Sequence, residues 1–419
     1  MEAMDIQAVE SKLSDVTVTA IPMNGKSTHK ELGHTGNSHA TISTVPASSP
    51  SSIGKDKDNS MSKYAQLLAV IEEMGQMVSW STKHRWNTGY SADSVEWCPV
   101  EPFTDVLVCG TYQLDKSDED QNVVKQKRLG RSYLFKINEN TTELCPIQSI
   151  DTSGILDQKW CYHRINDCPV LGIVTSEGSL QLYRLEENDG TLNLNLWLET
   201  PIGENILALS LDWSSNKVTS DNPCVVVSDS GGNVSVWRVD ERLEKIGSWK
   251  AHDFEAWIGA FNYWNEKVLY SGGDDCVFKC FDLRTPDAVI KNRCHEAGVT
   301  SVRSNIDVEH QLLTGSYDEK VRLWDARQLK RCINETDVSG GVWRLKWHPH
   351  NNNYILAACM YGGFRLLRLE EKINVLYEYL EHESIAYGAD WKFDNSLSMV
   401  ATCSFYDCNM HVGEIVFDE

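Results

Sequence analysis

From residue 78 onward the chain alternates short apolar runs with polar turns, and the alternation repeats. The clearest unit is 313–327, Leu-Thr-Gly-Ser-Tyr-Asp-Glu-Lys-Val-Arg-Leu-Trp-Asp-Ala-Arg. Leu312, Leu313 and Thr314 predict a buried strand, Tyr317 to Lys320 a polar turn, and Val321, Leu323 and Trp324 the next strand, closed by Asp325. Aligning the third strand of every unit sets Tyr133, Tyr183, Trp237, Phe281, Trp324, Leu367 and Gly413 in equivalent positions, at intervals of 50, 54, 44, 43, 43 and 46 residues. The ends of the first strands, Trp97, Trp160, Trp213, Phe261, Val302, Trp347 and Trp391, form a second register of the same seven units. A period near 40 to 45 residues suits a four-stranded propeller blade. The fold expected is therefore all-β, a seven-bladed ring. Only six residues follow Gly413, too few for a fourth strand. Val78 to Trp86 is expected to supply it, which spares the ring open strand edges.

The segments outside this pattern are simpler. Residues 1–62, rich in Ser, Thr, Asn and Gly, are expected to form a disordered tail. Residues 63–77 space Tyr64, Leu67, Leu68, Ile71 and Met74 by three and four, as in a short amphipathic helix or linker, so the propeller is taken as 78–419. An insertion beginning at Asp115 reads as a charged, solvated loop. With 41% hydrophobic and 24% charged residues the composition is ordinary for a globular chain. No run of about 18 apolar residues predicts a membrane span, and the first 30 residues lack the apolar segment of a secretory signal. A cytoplasmic protein is expected. Thirteen cysteines without a Cys-x-x-Cys pair read as reduced core residues. A formal charge of −21 argues against direct contact with nucleic acid and favours cationic groups or basic protein surfaces.

The unit around Trp324 resembles the WD repeat. The resemblance implies a buried hydrogen-bonded chain through His295, Ser316, Asp318 and Trp324, with scaffolding rather than catalysis as its role. His252, His295 and His382 precede the turn aspartates Asp275, Asp318 and Asp407 by 23, 23 and 25 residues, so all three read as structural. His163 and His348 follow strand-end tryptophans as turn residues, and His411 lies in the last third strand. Usual enzyme signatures are missing: no Ser has Gly at both −2 and +2, and neither a His-Glu-x-x-His helix nor a phosphate loop with Lys occurs.

Function is therefore sought where the repeats differ. The position four residues before each first-strand end lies near the ring's axis and holds Asp93, Leu156, Leu209, Trp257, Gly298, Trp343 and Tyr387. The following position holds Ser94, Asp157, Ser210, Ile258, Val299, Arg344 and Gly388. Three aromatics there suit either packing between blades or an aromatic pocket. Such a pocket would hold a quaternary ammonium, each ring contributing about 0.5 to 2 kcal/mol.

Several segments are more specific than the repeat. They are 91–99 (Ser-Ala-Asp-Ser-Val-Glu-Trp-Cys-Pro), 109–113 (Cys-Gly-Thr-Tyr-Gln), 254–257 (Phe-Glu-Ala-Trp) with 261–264 (Phe-Asn-Tyr-Trp), 270–275 (Tyr-Ser-Gly-Gly-Asp-Asp), 340–349 (Gly-Gly-Val-Trp-Arg-Leu-Lys-Trp-His-Pro) and 401–407 (Ala-Thr-Cys-Ser-Phe-Tyr-Asp). Together they resemble the diphthine methyl ester esterases, WD-repeat proteins of the diphthamide biosynthesis pathway. The resemblance covers 78–419 and departs at Gly413, where the family has Trp. It implies a carboxylic ester hydrolase that removes a methyl ester from a modified histidine of translation elongation factor 2, ahead of the final amidation. Other diphthamide pathway enzymes are implied partners, and no cofactor or metal is implied. The substrate side chain carries a trimethylammonium group, which gives Trp257, Trp343 and Tyr387 a substrate-binding role. Asp93, Glu255 and Asp157 are the acidic candidates for activating water, and Arg344 or backbone amides the candidates for steadying the ester oxygen. The competing class is a non-catalytic adaptor that recruits the elongation factor to the amidation step or serves another complex. Deleting residues 78–90 is expected to unfold the protein, whereas deleting 1–60 is expected to leave the melting temperature nearly unchanged; thermal melts of the two truncations check this.

Overall fold

A computed structural model describes residues 78–115, 127–138, 141–285, 288–393 and 398–417. The expected tail, the expected helix and most of the charged insertion lie outside the described residues. Within them the regular structure is entirely strand, arranged as seven antiparallel four-stranded sheets. Blades 1 to 6 are consecutive, at 91–153, 155–201, 208–250, 258–292, 299–337 and 344–379. Blade 7 takes three strands from 386–417 and its outer strand, β1 (Val78–Asn87), from the other end of the chain. First strands of successive blades touch in an unbroken cycle, blade 7 against blade 1 included. A closed ring with the first strands innermost follows. Every described residue of those seven strands is buried.

The strand-end tryptophans explain why the blades stay in register. Trp160, Trp213 and Trp391 each donate their indole N–H to a carbonyl of the preceding blade's first strand, at Glu96 (3.3 Å), Lys159 (2.9 Å) and Lys346 (3.2 Å). Buried carboxylates add a second link. Asp157, Asp212 and Asp390 accept the backbone N–H of Leu211, Phe261 and Trp97 in the following blade, at 3.0, 2.9 and 2.8 Å. Each junction thereby satisfies polar groups that its own sheet leaves open.

Strand pairing corrects the two sequence registers at three points. In blade 5 the residue opposite Leu312, equivalent to the strand-end Trp elsewhere, is Ser304 and not Val302. Ser304 does the tryptophan's work, donating to the Phe261 carbonyl at 2.9 Å. The axial residue of that blade is accordingly Thr300 instead of Gly298. In blade 1, Phe135 rather than Tyr133 lies opposite Leu107, the partner of Trp97.

The hydrogen-bonded chain of blade 5 also runs differently from expectation. Thr314, two residues before Ser316 on the same strand face, is the hydroxyl that joins His295 to Trp324. Its Oγ1 lies 3.1 Å from His295 Nε2 and accepts from Trp324 Nε1 at 2.8 Å. Ser316 instead donates to the Ala297 carbonyl and receives the Asp318 amide. Arg322 bridges His295 Nδ1 (2.7 Å) and Asp318 (2.7 Å), so the imidazole is neutral there, accepting at Nδ1 and donating at Nε2. Burial lowers the pKa of His295 and His252, and burial with the facing His411 puts His382 well below the usual value.

Gly413 has a structural reason. A Cβ at that position would stand 2.7 Å from the indole nitrogen of Trp80, on β1. Trp80 occupies the room that the repeat's tryptophan takes elsewhere, buried and stacked on Tyr379 with ring centroids 4.5 Å apart. The closing strand thus brings its own tryptophan, and the third strand must be bare to admit it. Truncating Trp80→Ala is expected to cost about 3 to 5 kcal/mol in urea unfolding, and Gly413→Val is expected to lower the melting temperature by forcing the same ring outward. A second outcome concerns pH. Burial moves His348 and His411 down to about 4. Their neutral forms favour the fold above pH ~6.5, the unfolded value, and that contribution is lost as pH falls from there toward 4. Melting temperatures are expected to be flat from pH ~8 to ~7 and to decline below pH ~6.5.

Candidate functional site

Five of the seven first strands carry a β-bulge near their start, at Asp93, Leu156, Leu209, Thr300 and Tyr387. Trp257 and Trp343 stand at the equivalent place immediately before the first strands of blades 4 and 6. A bulge inserts one residue out of the alternation and re-aims it, and here it builds the upper end of the axis. The three aromatics expected there do come together. Trp343 stacks on Tyr387 at 4.8 Å and meets Trp257 at 5.8 Å. Tyr317 and Phe405, from turns after the second strands, extend the cluster at 6.2 Å from Trp343 and 5.0 Å from Tyr387. Trp257 donates to Asp274 at 3.1 Å. The rings close on one another, so an ammonium group would meet the partly exposed edge at Trp343 rather than a gap between faces.

Below the rings the axis is charged. One residue before each strand end stand Glu96, Lys159, Asp212, Ala260, Arg303, Lys346 and Asp390, three acids and three bases in one layer. Two residues above them are Asp157 and Arg344, one of each sign. None of these charged residues is more than 8% exposed, and groups so buried are found ionised only when paired. Arg344 reaches from blade 6 across to Asp157 of blade 2 at 2.9 Å, and Asp157 also holds Lys159. Lys346 binds Glu96 of blade 1 at 2.5 Å and Asp390 of blade 7 at 3.2 Å. Arg303 reaches Tyr162 at 2.8 Å and lies 3.7 Å from Asp212. Burial works to raise Asp157, but Arg344 and Lys159 hold it below the usual carboxylate range. Burial outweighs Lys346 at Glu96, whose pKa rises to about 7. A cavity of about 20 Å³ lies among Lys159, Asp212, Arg303, Arg344 and Lys346, enough for one water molecule.

Asp93 is the acid that this pairing omits. It is 1% exposed, and its Oδ1 has no hydrogen-bond partner. Burial pushes its pKa well above the usual range, Arg344 draws it down and Asp157 pushes it up. Asp93 is thus within electrostatic reach of the cross-axis pair, without a hydrogen bond or ion pair to either member. Glu255 is elsewhere, in the loop before blade 4, where its carbonyl accepts the Asp274 amide at 2.9 Å; its side chain makes no hydrogen bond or ion pair with Asp93, Asp157 or Arg344. Asp157 accepts the Leu211 and Gln158 amides besides its two cations, which leaves it little capacity to take a proton from water. Asp157 and Arg344 stood among the sequence candidates, but the charged layer one residue before the strand ends escaped, although one signal marks it: a charged residue directly before the strand-end aromatic of an otherwise apolar strand. Among the described residues no group of three His, Cys, Asp or Glu side chains is arranged to hold a metal ion.

The loops at the two ends of the ring differ in charge. Those at the upper end, where first strands begin, carry thirteen acidic and two basic described residues, against thirteen and ten at the lower end. Phe254, Tyr361, Leu380 and Tyr406 are exposed in the upper loops.

Comparison with known proteins gives three kinds of likeness. The WD domain, G-beta repeat, matches residues 288–325, and the cyclin-dependent kinase 2-associated protein family matches 1–46, outside the described residues. The diphthine methyltransferase of Homo sapiens is 42% identical over 332 residues, covering 73% of this chain and 74% of that protein. The Dictyostelium discoideum homolog of that protein is 38% identical over 76% of this chain and 95% of its own length. The Schizosaccharomyces pombe diphthine methyltransferase is 32% identical over 76% and 93%. A chain in a crystal structure of the mitotic checkpoint complex superposes with a TM-score of 0.61 at 14% identity, over 90% of this chain and 99% of that one, a likeness of fold alone.

Removing one partner of a buried ion pair strands the other. Lys346→Met, which leaves Glu96 and Asp390 without their cation, is expected to destabilise the ring by about 3 to 5 kcal/mol in urea unfolding. Adding Glu96→Gln and Asp390→Asn is expected to recover most of that loss.

Proposed function

The chain belongs to the diphthine methyltransferase family, and on that footing we propose that it acts in diphthamide biosynthesis as a carboxyl methyl esterase on translation elongation factor 2. The ester reading rests on one observation above the rest: Asp93, a buried carboxyl with an unpartnered oxygen at the upper end of the axis, within electrostatic reach of the Arg344 guanidinium. A methyl ester is cleaved when water adds to its carbonyl carbon. Asp93 would take one proton from that water as the C–O bond forms. Arg344, oriented by Asp157, would stabilise the negative oxygen of the tetrahedral intermediate. The acyl–oxygen bond to the methoxy group then breaks, the methoxy oxygen takes up the proton, and methanol leaves a carboxylate behind with release of one proton. A raised pKa makes Asp93 a stronger base than a solvated carboxylate once ionised.

The side chain's trimethylammonium group would lie against the exposed edge of the ring cluster formed by Trp257, Trp343 and Tyr387. Such a reaction would occur in the cytosol, where the elongation factor and the other enzymes of the pathway meet the chain. The adaptor reading keeps one point in its favour. The aromatic rings are closed on one another and the axial cavity has room for one water at most, so a substrate carbonyl reaches Asp93 only if Trp343 or Tyr387 moves.

A direct assay separates the two. Incubating the chain with ester-bearing elongation factor 2 is expected to remove the methyl group, followed by mass spectrometry; no loss above buffer leaves the adaptor. Asp93→Asn is expected to lower kcat by about 100-fold or more with little change in KM. Activity of the unaltered chain should fall as pH drops through the raised pKa of Asp93, because only the ionised carboxylate accepts the proton. Trp343→Ala and Tyr387→Ala are expected to raise KM, and an unchanged KM in both removes the aromatic edge from the account.

A further inference from the structure

We infer that the upper end of the ring selects the esterified side chain against its own carboxylate product by charge, an inference that rests on the ester hydrolysis proposed above. Hydrolysis changes the substrate by one unit of negative charge at the reacting carbon and leaves the remainder of the protein substrate as it was. The surface that meets this change is strongly one-signed: thirteen acidic to two basic described residues in the upper loops, whereas the lower loops, with thirteen and ten, are nearly balanced. Asp253, Glu296, Glu319 and Glu383 are exposed on that upper end. Among the described residues their side chains take part in no hydrogen bond or ion pair, so their charge faces solvent.

The centre of this surface points to a ligand in its own right. Beneath it, Asp93 is 1% exposed with an unpartnered Oδ1. The nearby cation Arg344 is already engaged by Asp157 at 2.9 Å. A new carboxylate formed beside Asp93 therefore meets one carboxyl, a guanidinium with a prior partner, and a rim of acids. A neutral methyl ester attached to a cationic ammonium group meets the same field and is attracted by it. Low-dielectric walls focus such fields, which reach several kT at protein surfaces. The neutral ester is held and the carboxylate expelled. Once Trp343 or Tyr387 has moved aside, product release is thus favoured by the surface charge.

Two forms of elongation factor 2, one bearing the methyl ester and one the carboxylate, differ by that single charge and isolate the effect. Their dissociation constants from the full chain are measured by surface binding in the cold, at about 0.05 M and about 0.3 M salt, with mass spectrometry of the recovered factor. The ester form is expected to bind about tenfold tighter at low salt, with the ratio falling toward one at high salt as the field is screened. In a variant with Asp253→Asn, Glu296→Gln, Glu319→Gln and Glu383→Gln the low-salt ratio is expected to drop below about twofold. A variant with the same number of exposed acids removed at the lower end, Asp221→Asn, Glu241→Gln, Glu309→Gln and Glu371→Gln, is expected to keep it near tenfold. Equal binding of the two forms at low salt, tighter binding of the carboxylate, absence of binding by either, or an equal loss of selectivity in both variants overturns the inference. Ester that survives intact while the selectivity holds counts against the hydrolysis and leaves the charge selection standing.

Discussion

The ring stands on charges that water does not reach. Eight paired ionisable residues meet on its axis, none more than 8% exposed, and their pairing crosses from blade 6 to blades 1, 2 and 7. Desolvating such groups costs as much as their attraction returns, so ion pairs of this kind are poor evidence of extra stability. What they impose is order. An axial lysine must find its acids on specified blades, and a shifted or exchanged blade leaves charges buried without a counterion. A local repeat cannot supply that specificity, because every blade has the same hydrogen-bonding edge to offer its neighbour. Balance within the layers also makes the exception visible: Asp93 belongs to no pair, and the chemistry proposed for the chain begins from it.

Closure of the ring poses the same problem at its seam, and a different device answers it. Strand β1 comes from the far end of the chain and must be recognised by the third strand of blade 7. Recognition lies in a complementary exchange of side chains, a bare Gly413 over which the large Trp80, two residues along from its strand partner Thr82, can lie. Around the indole, Tyr379 stacks at 4.5 Å, and its hydroxyl joins Thr82 of β1 to His411 at 2.6 and 2.8 Å. The seam is thereby both packed and hydrogen-bonded, and its histidines are held neutral by burial.

Much of this was legible in the chain, for reasons that differ by residue. Strand-end tryptophans and turn aspartates announce seven units because each performs one local task that recurs. Blade 5 was read two residues short because Ser304 performs the tryptophan's hydrogen bond without its size, and size was the visible mark. Thr314 and Ser316 lie on one strand face, two residues apart, and only three-dimensional reach decides which hydroxyl meets Trp324. Bulges escaped for a similar reason, since one inserted residue leaves the apolar pattern almost intact. The aromatic positions Trp257, Trp343 and Tyr387 were found, yet their mutual stacking was not, because that depends on how blades 4, 6 and 7 converge on the axis. Gly413 read as a departure from the repeat until the residue that fills its space was known.

The functional account joins three features at the upper end: an unpaired buried acid, an aromatic edge and a surface of one charge. Its central claim is that the methyl group leaves by attack of water at the ester carbonyl. Performing the reaction in water labelled with a heavy oxygen isotope reads that step directly, through the masses of both products. The account predicts one labelled oxygen in the new carboxylate of elongation factor 2 and unlabelled methanol. Labelled methanol with an unlabelled carboxylate, or a methyl group passed to an acceptor other than water, would contradict it.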